Sequence, residues 1–326
     1  MRFSLLVSIL FVGSEAFSPS TAAKRTASSQ LLAQQKDTAE INRRSLFSQA
    51  VAAATIATST FSLTSFSPEI ASAAEVKKVV VAGATGQTGR RILEKLASSG
   101  SLDVVGGVRN VDKATKSLGE SSTVVRGAMV QQVASVDTSS VNLAKLDVVT
   151  DSVDSISQTL QGADALVIAT GFVPGNPLKM NAAAHEVDNL GTCKLVDAAK
   201  KAGVKKVVMV SSILTNGRNW GQENSPGFVI TNAFGNVLDE KIVAENYLRA
   251  SGMDYTIVRP GGLKAKPPTG ALIISKEDTL NAGEISRDLV ADVCVASLTD
   301  AKASNKVLEI IEAEEGGPKV FNGLNM

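Results

Sequence analysis

Gly83, Gly86 and Gly89 recur three residues apart in Val79-Val80-Val81-Ala82-Gly83-Ala84-Thr85-Gly86-Gln87-Thr88-Gly89-Arg90, between an apolar run and the start of a helical pattern. Glycines at that spacing can cradle a nucleotide diphosphate. The first permits a tight turn, the second lets backbone N–H groups approach a pyrophosphate, and the third lets the following helix pack closely on the strand. The N-terminus of that helix offers unpaired N–H donors and a partial positive charge to the anion, so Thr85, Gln87 and Thr88 join the glycines as candidate contacts. The bland alternative is a strand, turn and helix built from small residues. The context weighs against it: Lys77 to Ala82 reads as a buried strand, and Arg90 to Ser99 as an amphipathic helix with Ile92, Leu93 and Leu96 inward, stopped by Gly100.

Further candidates stand where other apolar runs end. Val108-Arg109-Asn110 places an arginine where an NAD-specific site carries an acid for the ribose 2′-hydroxyl. Arg109, with Lys113 one helical turn on, suits a 2′-phosphate; the alternative is a solubilising surface arginine. NADP(H) is therefore the expected cofactor. In Leu146-Asp147-Val148 the acid can accept a bond from an adenine amino group, and in Ala169-Thr170-Gly171 the glycine lets backbone run beside the cofactor ribose. Ser211-Ser212 aims two hydroxyls at the middle of the crevice, with Ser211 a candidate for cofactor binding and for catalysis. Small polar residues also form ordinary turns, so the weight lies in their joint occurrence at successive strand ends.

These residues converge only if the runs before them lie side by side. Strands are expected at 77–82, 103–108, 142–147, 164–169, 205–211, 254–258 and 306–311. Helices are expected near 87–99, 151–160, 182–202, 236–251 and 286–298, with a short helix near 112–118 and a variable loop after it in the long 110–141 connection. The alternation predicts an α/β fold: a Rossmann-like, doubly wound parallel sheet with helices on both faces, in a single domain over 75–326. Ligands bind such a sheet beyond the carboxyl ends of its strands, where strand order reverses. Lys and Arg total 33 against 32 for Asp and Glu, so no net basic field attracts nucleic acid. Cys193 and Cys294 have neither metal nor redox-pair spacing, and one histidine, His185, supports neither a His-rich metal site nor a Ser-His-Asp triad; no metal is expected.

Residues 1–74 read as targeting signals rather than fold. Met1-Arg2 precedes an apolar run from Leu5 to Val12 and a small-residue cleavage site at Ser14-Glu15-Ala16, which exposes Phe17. Phe17 to about Gln35 has transit-peptide composition, rich in Ser, Thr and Ala and free of acids. Arg43-Arg44, a mildly apolar stretch to Phe61 and Ala71-Ser72-Ala73 match a twin-arginine signal. The order resembles presequences of plastid proteins in algae whose plastid lies inside extra membranes, and implies a plastid destination, with thylakoid lumen or stroma both open.

Several blocks carry a family resemblance: Gly83 to Arg90, Val187-Asp188-Asn189-Leu190-Gly191-Thr192, Val196 to Val204, Val207 to Ser212, and Gly252 to Leu263. Together they resemble the NmrA-like branch of the atypical short-chain dehydrogenase/reductases, over essentially all of 77–312. The segments Lys264 to Gly270, Glu277-Asp278-Thr279-Leu280 and Ile285-Ser286-Arg287-Asp288 look like plastid members related to flavin reductases, a group linked with thylakoids and their lipid particles. The resemblance implies NAD(P) binding, with Pro260 among the cofactor contacts. It also implies a Tyr four residues before a Lys, the lysine lowering the tyrosine pKa so that it can pass a proton to a carbonyl.

Lys241 is in place, but Val237 holds the tyrosine position, and Tyr247 faces another direction on the helix. Lys241 keeps the role of holding the nicotinamide ribose, with some catalytic contribution; its alternative is a solvated lysine beside Glu245. Ketone reduction loses its proton donor. Hydride transfer to a planar conjugated acceptor of flavin, quinone or tetrapyrrole type survives, because such an acceptor delocalises charge and takes its proton from water. The segment 213–235, with Asn216-Gly217, Trp220-Gly221 and Pro226-Gly227, and the segment 261–284 are expected to frame the pocket, the first as a mobile lid. The other class of reading is a non-catalytic NADPH-dependent sensor or assembly factor at the thylakoid.

Overall fold

Val79, Val80 and Val81 are wholly buried, because the strand they form is covered on both faces. The structure is a computed structural model and describes residues 76–120, 122–126, 129–133, 135–137, 139–314, 321, 323 and 324. The targeting signals expected within 1–74 lie outside the described residues.

In chain order the strands are β1 (Lys78–Ala82), β2 (Asp103–Val108), β3 (Ser122–Arg126), β4 (Met129–Val133), β5 (Asn142–Lys145), β6 (Ala165–Ile168), β7 (Lys206–Val210), β8 (Asp254–Pro260), β9 (Gly262–Lys264), β10 (Leu272–Ser275), β11 (Glu284–Ser286) and β12 (Lys306–Glu312). The helices are α1 (Gln87–Ser98), α2 (Val111–Gly119), α3 (Val153–Thr159), α4 (Met180–Ala184), α5 (Gly191–Ala202), α6 (Pro226–Asn232), α7 (Val237–Ala250) and α8 (Arg287–Ala296); a π-helical segment, His185–Leu190, joins α4 to α5.

Eight strands form one sheet in the order β10-β12-β8-β7-β6-β1-β2-β5, parallel throughout except that β10 runs antiparallel to β12. The order reverses between β1 and β6, which makes their carboxyl ends the switch point. Alternation along β1 divides the core. Val79 and Val81 pack with Ile92, Leu93 and Leu96 of α1 and Val290, Val293 and Cys294 of α8. Val80 and Ala82 face the other way, toward Leu195 and Val196 of α5 and Ala244 and Leu248 of α7. Burial pushes the Cys294 thiol up to about 12, as suits an inert core residue.

The doubly wound fold matches the expectation, and the departures are local. The connection after α2 contains a β3–β4 antiparallel hairpin where a variable loop is expected. Thr123-Val124-Val125 and Val130 are β-branched strand formers whose signal is masked by neighbouring Gly, Ser and Gln. The helix expected at 182–202 starts at Met180 and is broken by the π segment. Helix α6, the β9–β11 pair and the edge strand β10 lie in segments read from sequence as loops.

Candidate active site

The turn after β1 is built on close backbone contact. Gly83 has φ +82°, and the amides of Gly83 and Ala84 both donate to the Gly107 carbonyl, at 3.2 and 3.3 Å. A Cβ on Gly83 would lie 2.8 Å from the Ala169 carbonyl oxygen and 3.0 Å from the Thr170 nitrogen, so the turn is pressed against the end of β6. A Cβ on Gly89 would collide with the Gly83 carbonyl group, its carbon 2.9 Å away. The third glycine therefore seats α1 on the turn itself, a closer approach than the helix-on-strand packing expected. Gly86 is the N-cap of α1 and has no side chain to cap it; the first turn contains no acid. The amides of Gln87, Thr88 and Gly89 are left for a ligand, since no intrahelical carbonyl can reach them. Thr85 and Gly86 are exposed at the lip.

At the end of β2, Arg109 and Lys113 are exposed and have no side-chain partner among the described residues, while Asn110 caps α2 by accepting from the Lys113 amide at 2.8 Å. After β5, Asp147 is partly spent on its own turn: its Oδ1 accepts from the Val149 amide at 3.0 Å. Its amide donates to Asp151 Oδ2 at 2.8 Å, and Lys194 Nζ ties down the Val148 and Asp151 carbonyls, each at 2.9 Å. Val148 is buried against Gly191, where a Cβ would sit 2.8 Å from its Cγ2. Beyond β6, Thr170 Oγ1 is shut off from water without a hydrogen-bond partner among the described residues, as is Gln87 Oε1 at the start of α1. The glycine cradle, the uncapped amides, two unspent cations and two orphaned polar atoms all border one crevice end, and they fit a dinucleotide phosphate, ribose and amide.

Lys241 does not pair with Glu245. Its Nζ lies 2.8 Å from Asp188 Oδ1, with the aspartate wholly buried, and Asp188 Oδ2 accepts from the Phe172 amide at 3.0 Å. A Cβ on Gly171 would be 3.7 Å from that Oδ1. The π segment thus delivers a carboxylate that joins Lys241 to the backbone beyond β6. Asp188 is missed by sequence reasoning: it lies within a block quoted for resemblance, but no spacing marks it as facing Lys241.

Ser211 departs from expectation. Its Oγ is buried and donates to Glu245 Oε1 at 2.5 Å, so it points into the protein rather than into the crevice. Glu245 needs that donor because it is a wholly buried carboxylate. Pro260 is buried at the end of β8, its carbonyl accepting from the Ile213 amide at 3.0 Å. Tyr247 is turned toward α5, donating to Asp197 Oδ1 at 2.6 Å, which holds its pKa above the ordinary value. His185 lies outside the crevice network, with Nδ1 2.9 Å from Glu240.

Val237 packs with Trp220 and Leu280 against Ile213, Leu214, Phe228 and Leu238. The segment 213–235, expected as a mobile lid, is a folded cap with its own helix. Arg218 reaches both oxygens of Asp239, at 2.6 and 2.8 Å, and Asn232 bonds the same carboxylate and the Leu238 amide. Behind the cap, Arg259 is wholly buried among Glu245, Glu309, Glu277 and Asp278. Burial opposes its charge, but Glu245 foremost among these acids outweighs that and raises its pKa. Glu309 also accepts from the amides of Asp278, Thr279 and Leu280, and Asn216 bonds Asp278 at 2.7 Å, so one hub fastens both substrate-side segments to the sheet. The signal for it was present: Arg259 and Glu309 are charges flanked by apolar residues within buried strands, and such charges must be paired.

A sequence model described as NAD(P)H-binding matches residues 83–301. The chain belongs to this NAD(P)H-binding family. An uncharacterized chloroplastic protein of Arabidopsis thaliana is 43% identical over 257 residues, covering 78% of this chain and 84% of its own length. Sanguinarine reductase of Eschscholzia californica is 28% identical over 253 residues, covering 73% and 90%. Among solved structures, the oxidoreductase ylbE of Lactococcus lactis superposes with a TM-score of 0.57 at 23% identity, covering 73% of this chain and 92% of its own, which is a likeness of fold. The family match begins at the first glycine of the cradle and runs to residue 301.

Proposed function

We propose that this protein is an NADPH-dependent oxidoreductase of the plastid that passes hydride to a planar, conjugated acceptor. The observation that carries the reading is the pairing of an intact Lys241, held by Asp188, with Val237 in the apolar cluster under the cap. Cofactor-holding parts are kept and the proton donor for a carbonyl is gone.

Arg109 and Lys113 suit the 2′-phosphate of NADPH, and the amides of Gln87, Thr88 and Gly89 suit its pyrophosphate. Thr170 and the Lys241 amine suit the ribose and nicotinamide end. Bound NADPH supplies the hydride; the protein orients it, and the apolar cap at Val237, Trp220 and Leu280 offers a dry surface for a flat ring system. An acceptor that delocalises the arriving charge takes its proton from water, so no side chain need supply one. The Arabidopsis relative named chloroplastic and the reductase relative support plastid and reductase readings. The presequence reading and the flavin-reductase-like segments favour association with thylakoids or their lipid particles.

Purified protein should oxidise NADPH in the presence of at least one flavin, quinone or chlorophyll precursor, followed as loss of nicotinamide absorbance. Tight NADPH binding with no turnover on any of them leaves the non-catalytic sensor as the better account. Sequencing the mature N-terminus places the protein: a start near Ala74 supports the lumen, and one near residue 36 the stroma.

A further inference from the structure

Lys194 is a cation whose hydrogen bonds all go to backbone oxygens. Its Nζ lies 2.9 Å from the carbonyl of Val148, 3.1 Å from that of Val149 and 2.9 Å from that of Asp151, all in the turn that follows β5. An ammonium has three N–H donors, and here there is an acceptor for each. Three carbonyl dipoles aimed at one point repel one another, so a positive charge at their focus stabilises this shape of the turn.

The first of those carbonyls belongs to a peptide unit with a second task. The Val148 carbonyl and the Val149 N–H are the two ends of one planar amide, so fixing the direction of one fixes the other. The carbonyl accepts from Lys194, and the N–H donates to Asp147 Oδ1 at 3.0 Å. Asp151 closes the turn from the other side: its carbonyl accepts from Lys194 while its Oδ2 accepts from the Asp147 amide at 2.8 Å. Both the backbone and the side chain of Asp147 are thus oriented by groups that Lys194 grips. No hydrogen bond engages Asp147 Oδ2 among the described residues, and Asp147 is half-buried rather than sealed.

The helix that carries Lys194 also serves the other end of the crevice. At intervals of three residues Asp188 meets Lys241, Gly191 seats against Val148, and Lys194 grips the turn. We propose that Lys194 is a positioning residue for the cofactor: through the Val148–Val149 peptide it sets the Asp147 carboxylate to accept from the amino group of the adenine ring. This deepens the NADPH reading and rests on it. A lysine on α5 thereby governs how well the site tells adenine from a base without that amino group.

The test titrates the full chain with NADPH and with its 6-deamino analogue, in which hydrogen replaces the amino group of the adenine ring, followed by the fluorescence of the reduced nicotinamide. The unaltered protein should bind NADPH about tenfold more tightly, the scale of one discriminating hydrogen bond. Lys194→Met keeps the stem and removes the charge, and should bring that ratio close to one; so should Asp147→Ala. In the double variant the ratio should fall no further, because both substitutions remove one contact. A structural role alone would weaken the two dinucleotides equally, or lower the melting temperature with the ratio intact, and either result overturns the positioning role. Equal binding of both dinucleotides by the unaltered protein overturns it too, while leaving the NADPH site standing. Binding of neither overturns the cofactor reading and the role of Lys194 together. Should Lys194→Met fail to fold, Lys194→Gln, which has two donors and no charge, is read by the same ratio.

Discussion

The two walls of the crevice are held by opposite means. The cofactor wall, from Gly83 to α1 and on to Thr170, is shaped by backbone, and its polar groups are left open: Gly86 caps nothing, and the first turn of α1 has no acid. Three other helices are finished. Asn110, Ser152 and Ser286 cap α2, α3 and α8 through their side chains, with Asp112, Asp154 and Asp288 in the first turns. The substrate wall is the reverse, a set of segments whose charges are closed on one another around Arg259. One wall is stabilised by what it binds and the other by itself, so damage to each should have a different signature.

Removing the hub should separate them most sharply. Arg259→Leu leaves Glu245 and Glu309 buried without their main counter-charge, and should cost about 3–5 kcal/mol of stability in chemical denaturation, whether or not NADPH is present. Gly83→Ala acts on the other wall. Its Cβ meets the end of β6 from a left-handed backbone, and NADPH affinity should fall about 100-fold, ~2.7 kcal/mol, by titration. If the variant instead loses stability without losing affinity, the cradle is structural. Arg109→Ala should weaken NADPH by about 2 kcal/mol and leave NADH almost unchanged. Equal losses for both cofactors would remove the 2′-phosphate assignment.

The smallest effect concerns acid. Burial works against ionisation of Glu312, but the amides of Thr269, Gly270 and Ser286 outweigh it and hold its carboxyl at about 2. A depressed carboxylate adds stability above its ordinary value of 4.5 and loses it as pH falls toward about 2. Glu312→Gln should therefore flatten part of the fall in melting temperature across that window, leaving the share owed to Asp164 and Glu277, whose pKa values are also lowered. An unchanged acid profile would show that Glu312 does not anchor the 264–270 segment.

The cofactor wall was the legible one. Glycine spacing and strand ends are local patterns, and Gly83, Gly86, Gly89, Arg109 and Thr170 stand where those patterns put them, at one end of the sheet. The parallel sheet was legible too, because strands buried on both faces write unbroken apolar runs such as Val79-Val80-Val81. The substrate wall depends on residues distant in sequence. Nothing local announces that Ser211 turns to Glu245, 34 residues on, or that Lys241 meets Asp188. A serine at a strand end reads the same whether it faces solvent or a buried acid, and only the acid's need for a donor decides it.

The π segment at His185–Leu190 has an evolutionary consequence. A π turn accommodates one residue more than an α turn, which is how a helix can absorb an inserted residue without losing its ends. Deleting one residue there would restore an even α-helix and rotate everything on one side by about 100°, swinging Asp188 off Lys241 while Leu195 and Val196 kept their places in the core. A single codon thus separates a lysine tied to Asp188 from one released from it.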